Sequence, residues 1–135
     1  MKDELQGKLV LVHPDLTNDP AGKQNEIGVI KTSDLEQDDV FVSFDNGELS
    51  LYATDALLIL KPANEIYDKI ASIELKLDFP DLKALNWINL LQRYGSSNQL
   101  RNAMEQAKQH PGIHSLCLIT LREALEINQS QNRSR

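Results

Sequence analysis

The stretch FVSFDNGELSLYATDALLIL, residues 41–60, decides the fold. Asn46-Gly47 lies between two alternating apolar runs, and it is the strongest short signal for a hairpin because a type I′ turn needs positive φ at both central residues. A two-residue loop sets a register in which Phe44 faces Leu49, Val42 faces Leu51 and Phe41 faces Tyr52. One face then carries Val40, Val42, Phe44, Leu49 and Leu51 as core residues. The other carries Ser43, Asp45, Glu48 and Ser50, which are polar. Asp45 would face Glu48, a like-charge mismatch that keeps a longer loop open. Beyond the hairpin, Ala53-Thr54-Asp55-Ala56 provides one helical turn. Leu57-Leu58-Ile59-Leu60 then reads as a buried strand stopped by Pro62.

Two strands precede the hairpin, at Lys8–His13 and Ile27–Lys31. A long polar loop from Pro14 to Glu26 joins them, punctuated by Pro14, Pro20 and Gly22. Five strands with a long first loop, a tight late hairpin and one helical turn before the last strand resemble the Src-homology-3-like small barrel. The resemblance covers about residues 7–61 and rests on Gly7, Gly28, Asn46-Gly47 and the Thr54-Asp55 turn. The nearest types are the Tudor and KOW barrels, which bind proteins or nucleic acids. A Tudor-type aromatic cage needs several clustered aromatics, and this half has Phe41, Phe44 and Tyr52. A KOW-type RNA surface needs basic residues, and this half is acidic.

The remainder reads as helical. Ile66, Ile70, Ile73 and Leu77 recur at steps of 4, 3 and 4 from Ala63 to Asp78. Phe79-Pro80 interrupts that pattern, and Asp81 favours a restart near Pro80. Leu82, Leu85, Ile88 and Leu91, with Trp87, mark a second helix ending near Gly95. Ser96 with Gln99 fits a capping box for a third helix, with Leu100, Met104 and Ala107 on one face. A fourth is expected from about Ile113 to Ile127, beginning with an almost wholly apolar run. The expected class is therefore α+β. A five-stranded antiparallel small β-barrel at residues 1–61 is packed against about four α-helices at 62–127, and a polar tail at 128–135 is disordered. Leu60-Lys61-Pro62 is a tight joint rather than a flexible linker.

Composition agrees with one compact domain or two small halves: 135 residues, 41% hydrophobic and 25% charged. The net charge of −6 is uneven. Residues 1–61 hold 5 Lys+Arg against 12 Asp+Glu, whereas residues 62–135 hold 9 against 8. The first half therefore repels a phosphate backbone. The one cysteine, Cys117, excludes an internal disulfide and fits a reducing cytoplasm. The N-terminal MKDELQGK lacks the apolar core of a signal peptide, and no apolar run approaches the ~20 residues that span a bilayer. A cytoplasmic, bacterial protein is expected.

Chemistry-bearing clusters are few. His110, His114 and Cys117 offer three ligand-type residues where a structural zinc site takes four, and Pro111-Gly112 breaks the helix between the histidines. An apolar helix also raises the pKa of Cys117, against a Cys–His nucleophile. Gly22-Lys23 lacks the upstream glycine of a phosphate loop. No metal, cofactor or catalytic set is expected, and the chain is read as a non-enzyme. An enzyme with an unrecognised site is the third reading.

The first reading is a module binding another protein, through the acidic cluster Asp34, Glu36, Asp38 and Asp39 or through Phe41 and Tyr52 as an aromatic cross-strand pair. The loop from Asp15 to Glu26 is a further acidic contact. A homodimer through the apolar helices is compatible with this. The alternative is nucleic-acid association through Arg93, Arg101, Lys108 and Arg122 of the helical half.

Overall fold

A computed structural model describes residues 5–16, 22–73 and 77–126 of the chain. The chain divides into two units. One takes residues 1–59 and 119–135, and the other takes Leu60–Leu118. In chain order the second unit is an insertion in the first. The expected tail at 128–135 lies outside the described residues.

The first, sheet unit is built on β1 (Leu9–Val12), β2 (Ile27–Asp34), β3 (Asp39–Ser43), β4 (Leu49–Tyr52), β5 (Leu57–Leu60) and β6 (Leu118–Thr120), with a 3-10 turn at Thr54–Ala56 before β5; the strand-end residues Leu60 and Leu118 count with the second unit. The strands form one open antiparallel sheet in the order β4-β3-β2-β1-β5-β6. The five-stranded barrel is thus corrected to an open six-stranded sheet. Barrel closure removes edges, whereas this linear order keeps two, β4 and β6. Val10, Leu11 and Val12 of the central β1 are fully buried, as expected of a strand covered on both faces.

Two glycines set the geometry around the hairpin. A Cβ on Gly28 would stand 2.4 Å from the Val42 side chain and 3.0 Å from the Ser43 carbonyl oxygen, so β2 and β3 approach there only because position 28 has none. Gly47 has φ +86, a left-handed conformation that costs glycine little.

The turn is one residue longer than two. The Phe44 N–H donates to the Glu48 carbonyl at 2.9 Å, and the Gly47 N–H donates to the Phe44 carbonyl at 2.9 Å. Asp45, Asn46 and Gly47 therefore form a three-residue loop closed by a left-handed glycine. The Asn46 side chain accepts from the Glu48 N–H at 3.0 Å and reinforces it. The observed pairs are Val40–Tyr52, Phe41–Leu51, Val42–Ser50 and Ser43–Leu49. This corrects the expected register by one residue, and a one-residue slip exchanges the faces of a strand. Tyr52 turns inward and is 5% exposed, edge-to-face with Phe44 at 6.4 Å between ring centroids. Leu49 and Leu51, expected in the core, turn outward at 55% and 50% exposure.

The second unit contains α1 (Ala63–Ile73), α2 (Phe79–Tyr94), α3 (Ser97–Gln109), a 3-10 turn (Pro111–Ile113) and the short α4 (His114–Cys117). Pro80 occupies the first turn of α2, where its missing N–H costs nothing, and Gly95 ends the helix in the left-handed region. The Ser96–Gln99 capping box opens α3. Ala84, Leu85, Ile88 and Leu91 of α2 and Ala103, Met104 and Ala107 of α3 are buried.

The single helix expected from Ile113 to Ile127 is corrected to four pieces: the 3-10 turn, α4, β6, and a helix over residues 121–126. The break falls at Thr120, whose hydroxyl accepts from the Glu123 N–H at 3.1 Å and donates to the Glu123 carboxylate at 3.0 Å. Thr120 thereby caps the last helix, with Glu123 as its third residue. The consequence is a change of unit. Leu121 belongs to the core of the sheet unit, with Ala124 and Leu125 packed against that core. No described helix is long and apolar enough to cross a membrane.

Candidate functional site

The outer face of the β2–β3–β4 ladder follows from its registers. Residues paired across antiparallel strands point to the same side, as do residues two apart along one strand. Asp34 is paired with Asp39, Thr32 with Phe41, Phe41 with Leu51, and Ser43 with Leu49. Val40, Val42, Phe44 and Tyr52 fill the inner face and are buried. The outer face therefore carries Phe41, Leu49 and Leu51 as a contiguous apolar triplet. Asp34 and Asp39 lie one row away, about 7 Å along the strands. Phe41 is half-buried, Leu49, Leu51 and Asp34 are exposed, and Asp39 is half-buried. β4 is an edge strand among the described residues, so this patch runs to a margin of the sheet.

Phe41 and Tyr52, expected as a cross-strand pair on one face, lie on opposite faces. The longer turn moves Tyr52 into the core and puts Leu51 beside Phe41.

The acidic cluster also divides. Asp38 has φ +58 in the turn between β2 and β3. Its carboxylate accepts from the Thr54 N–H at 2.9 Å and the Thr54 hydroxyl at 2.8 Å. It also accepts from the Arg122 guanidinium. These bonds, the one from the Thr54 backbone foremost, hold the Asp38 carboxyl below the usual carboxylate range against a smaller opposing effect of burial. Glu36 is exposed in the same turn. Asp34 and Asp39 stand opposite each other with no salt bridge among the described residues.

The four cations expected to form a basic patch are differently placed. Arg122 belongs to the sheet unit, where it bridges Asp38 and Asp55 and donates through Nε to the Thr54 hydroxyl at 3.2 Å. Arg93 of α2 lies over the Tyr67 ring at 5.8 Å. Arg101 and Lys108 are half-buried on α3. Arg122 is thereby committed to closing the sheet unit.

His110 Nδ1 sits 2.9 Å from the Gln106 carbonyl, and a 3-10 turn separates His110 from His114. Burial pushes the Cys117 thiol up to about 12, and its Sγ donates to the Ile113 carbonyl at 3.3 Å. No three His, Cys, Asp or Glu side chains among the described residues are grouped to hold a metal ion.

The helical unit has its own surface, which the sequence reading missed. An open groove of about 780 Å³ on α2 and α3 is lined by Phe79, Leu82, Lys83, Trp87, Leu90 and His110, among others. Phe79 is 75% exposed, and Trp87 and Leu90 are exposed beside it. Phe79, Lys83, Trp87, Leu90 and Tyr94 recur at steps of 4, 4, 3 and 4, a second stripe on α2 apart from its buried one. That spacing was available in the sequence. Reading Phe79-Pro80 as a break, rather than as the first turn, concealed it.

Comparisons with protein-family models, with curated proteins and with solved structures find no match to this chain.

Proposed function

We propose that the chain is a non-catalytic module that binds another protein, with the outer face of β3 and β4 as its contact surface. One observation carries the reading: Phe41, Leu49 and Leu51 form an apolar patch at an open sheet edge, where a solvated outer face alternates to polar residues. Edge strands are usually blunted by Lys, Pro or a covering segment, and β4 reads Leu-Ser-Leu-Tyr. The groups best suited to chemistry are otherwise employed: the thiol is buried and protonated, and Asp38 and Arg122 close the fold. The free thiol fits a reducing compartment such as the cytoplasm.

The test is a comparison of immobilised wild-type chain with Leu49→Ser/Leu51→Ser in lysate, followed by calorimetry with each purified protein the variant fails to retain. The reading expects at least one such protein to bind the wild type directly, with affinity about tenfold or more above that for the variant. A variant of unchanged fold that retains every partner contradicts it.

A further inference from the structure

The pairing of Asp34 with Asp39 places two carboxylates directly opposite each other at one end of the outer face. Like charges so placed destabilise a sheet. The neighbouring acid shows that the fold has the means to neutralise a carboxylate, since Asp38 receives Arg122 and Thr54. Asp34 and Asp39 receive neither a cation nor a capping donor among the described residues. The single cation on β2, β3 and β4 is the exposed Lys31, at the irregularity between Ile30 and Thr32. The surrounding unit is acidic too, with 14 Asp+Glu against 7 Lys+Arg. One row away lies the apolar triplet.

We infer that this face takes an extended protein segment in which a lysine or arginine stands two residues from an apolar side chain, its cation between Asp34 and Asp39 and its apolar residues on Phe41, Leu49 and Leu51. The inference rests on the protein-binding reading and names the partner's chemistry. An extended chain puts residues i and i+2 on one side at the spacing of the rows on this face. The cation removes the repulsion between the two carboxylates, so the free protein tolerates an unfavourable pair that the complex resolves. A second copy of this chain is a poorer occupant, because its matching face brings two more carboxylates to the contact.

The experiment is a fluorescence-anisotropy titration with the labelled heptapeptide Lys-Ser-Leu-Ser-Leu-Ser-Lys and with its counterpart carrying Glu for Lys. The expected result is a preference for the Lys peptide of about fivefold to tenfold at low salt, diminished in 0.3 M NaCl. Asp34→Asn/Asp39→Asn removes that preference and raises the melting temperature, a combination that a purely structural role does not produce. Asp15→Asn/Glu26→Gln, an equal charge change elsewhere in the unit, leaves the preference in place. Equal binding of both peptides, lost in Leu49→Ser/Leu51→Ser, overturns the charge inference and leaves the protein-binding reading standing. Binding of neither peptide, or binding indifferent to Leu49→Ser/Leu51→Ser, overturns both. A preference lowered equally by Asp15→Asn/Glu26→Gln overturns the site in favour of the general acidic field. Concentration-dependent dimerisation in sedimentation, abolished by Leu49→Ser/Leu51→Ser, assigns the face to a second copy and also overturns the inference.

Discussion

At the turn between β2 and β3, Asp38 directs its carboxylate to Thr54 and Arg122, while Asp39, the next residue, enters β3 opposite Asp34 with no such partner among the described residues. The two acids differ in backbone more than in composition. Asp38 adopts φ +58, which swings its side chain out of the strand alternation and toward the turn before β5. Asp39 obeys the alternation and shares the outer face with Phe41. The first closes the sheet unit, because Arg122 ties the helix at 121–126 to the β2–β3 turn. The second lies half-buried on the outer face of the sheet. The acidic run Asp34 to Asp39 therefore divides: Asp38 is bonded within the sheet unit, and Asp34 and Asp39 pair on its outer face.

The strongest way to break this division is to attack the register on which it rests. Tyr52→Ala removes a buried ring and is expected to cost about 3 kcal/mol or more, whereas Leu51→Ala, its exposed neighbour, is expected to cost less than about 0.5 kcal/mol. Chemical denaturation of both variants measures the contrast. Similar losses, or a larger one at Leu51, would restore the two-residue turn.

Gly28→Ala comes next. Its Cβ meets the Val42 side chain and the Ser43 carbonyl, so overpacking is expected to cost about 1–3 kcal/mol, again by denaturation. A neutral outcome would mean that β2 and β3 can separate without loss.

The Asp38 half of the comparison is sharpened by pH. A carboxyl whose folded pKa is lowered stabilises the protein above its unfolded pKa, and that contribution is lost as pH falls through the folded pKa. Asp38→Ala is expected to cost about 1 kcal/mol near pH 7, an exposed-pair value to which the Thr54 bonds add. Melting curves of wild type and Asp38→Asn are expected to differ fully at pH 6 and to converge below about pH 4. Curves parallel from pH 6 to pH 2.5 would deny Asp38 a charged role. The smallest effect is expected from the opposed pair: like charges facing each other destabilise, so Asp34→Asn should stabilise, on the scale of about 0.2–1 kcal/mol that favourable cross-strand pairs contribute. A loss of stability there would show that Asp34 is structurally engaged.

Much of this arrangement was legible in the residues. The first five strands, the helical turn at Thr54–Ala56, the Gly95 stop and the Ser96–Gln99 capping box follow from local chemistry and occur as that chemistry requires. The turn length was not decided by Asn46-Gly47, because the dipeptide serves both a two-residue loop and a three-residue loop closed by a left-handed glycine. The clue was the repulsion that the shorter loop imposes between Asp45 and Glu48. In the observed turn Asn46 Nδ2 instead donates to the Glu48 carboxylate at 2.6 Å. The last helix was similarly concealed. Thr120-Leu121-Arg122-Glu123 is a capping-box sequence, but it follows the apolar run Ile113–Ile119 so closely that helical periodicity carried straight through it. That error hid β6, and with it the open sheet and the structural duty of Arg122. The outer face was illegible for the same reason as the register, since one residue decides whether Leu49 and Leu51 are core or surface.

The central claim is that the contact surface is the outer face of the sheet and not the groove on α2 and α3. Amide chemical-shift mapping of the full chain, titrated with the Lys-Ser-Leu-Ser-Leu-Ser-Lys peptide, tests it most directly. The expected result is a set of shifts concentrated at Thr32, Asp34, Asp39, Phe41, Leu49 and Leu51, with the amides of Phe79, Trp87 and Leu90 unmoved. Shifts confined to α2 and α3, with β3 and β4 silent, would contradict the account.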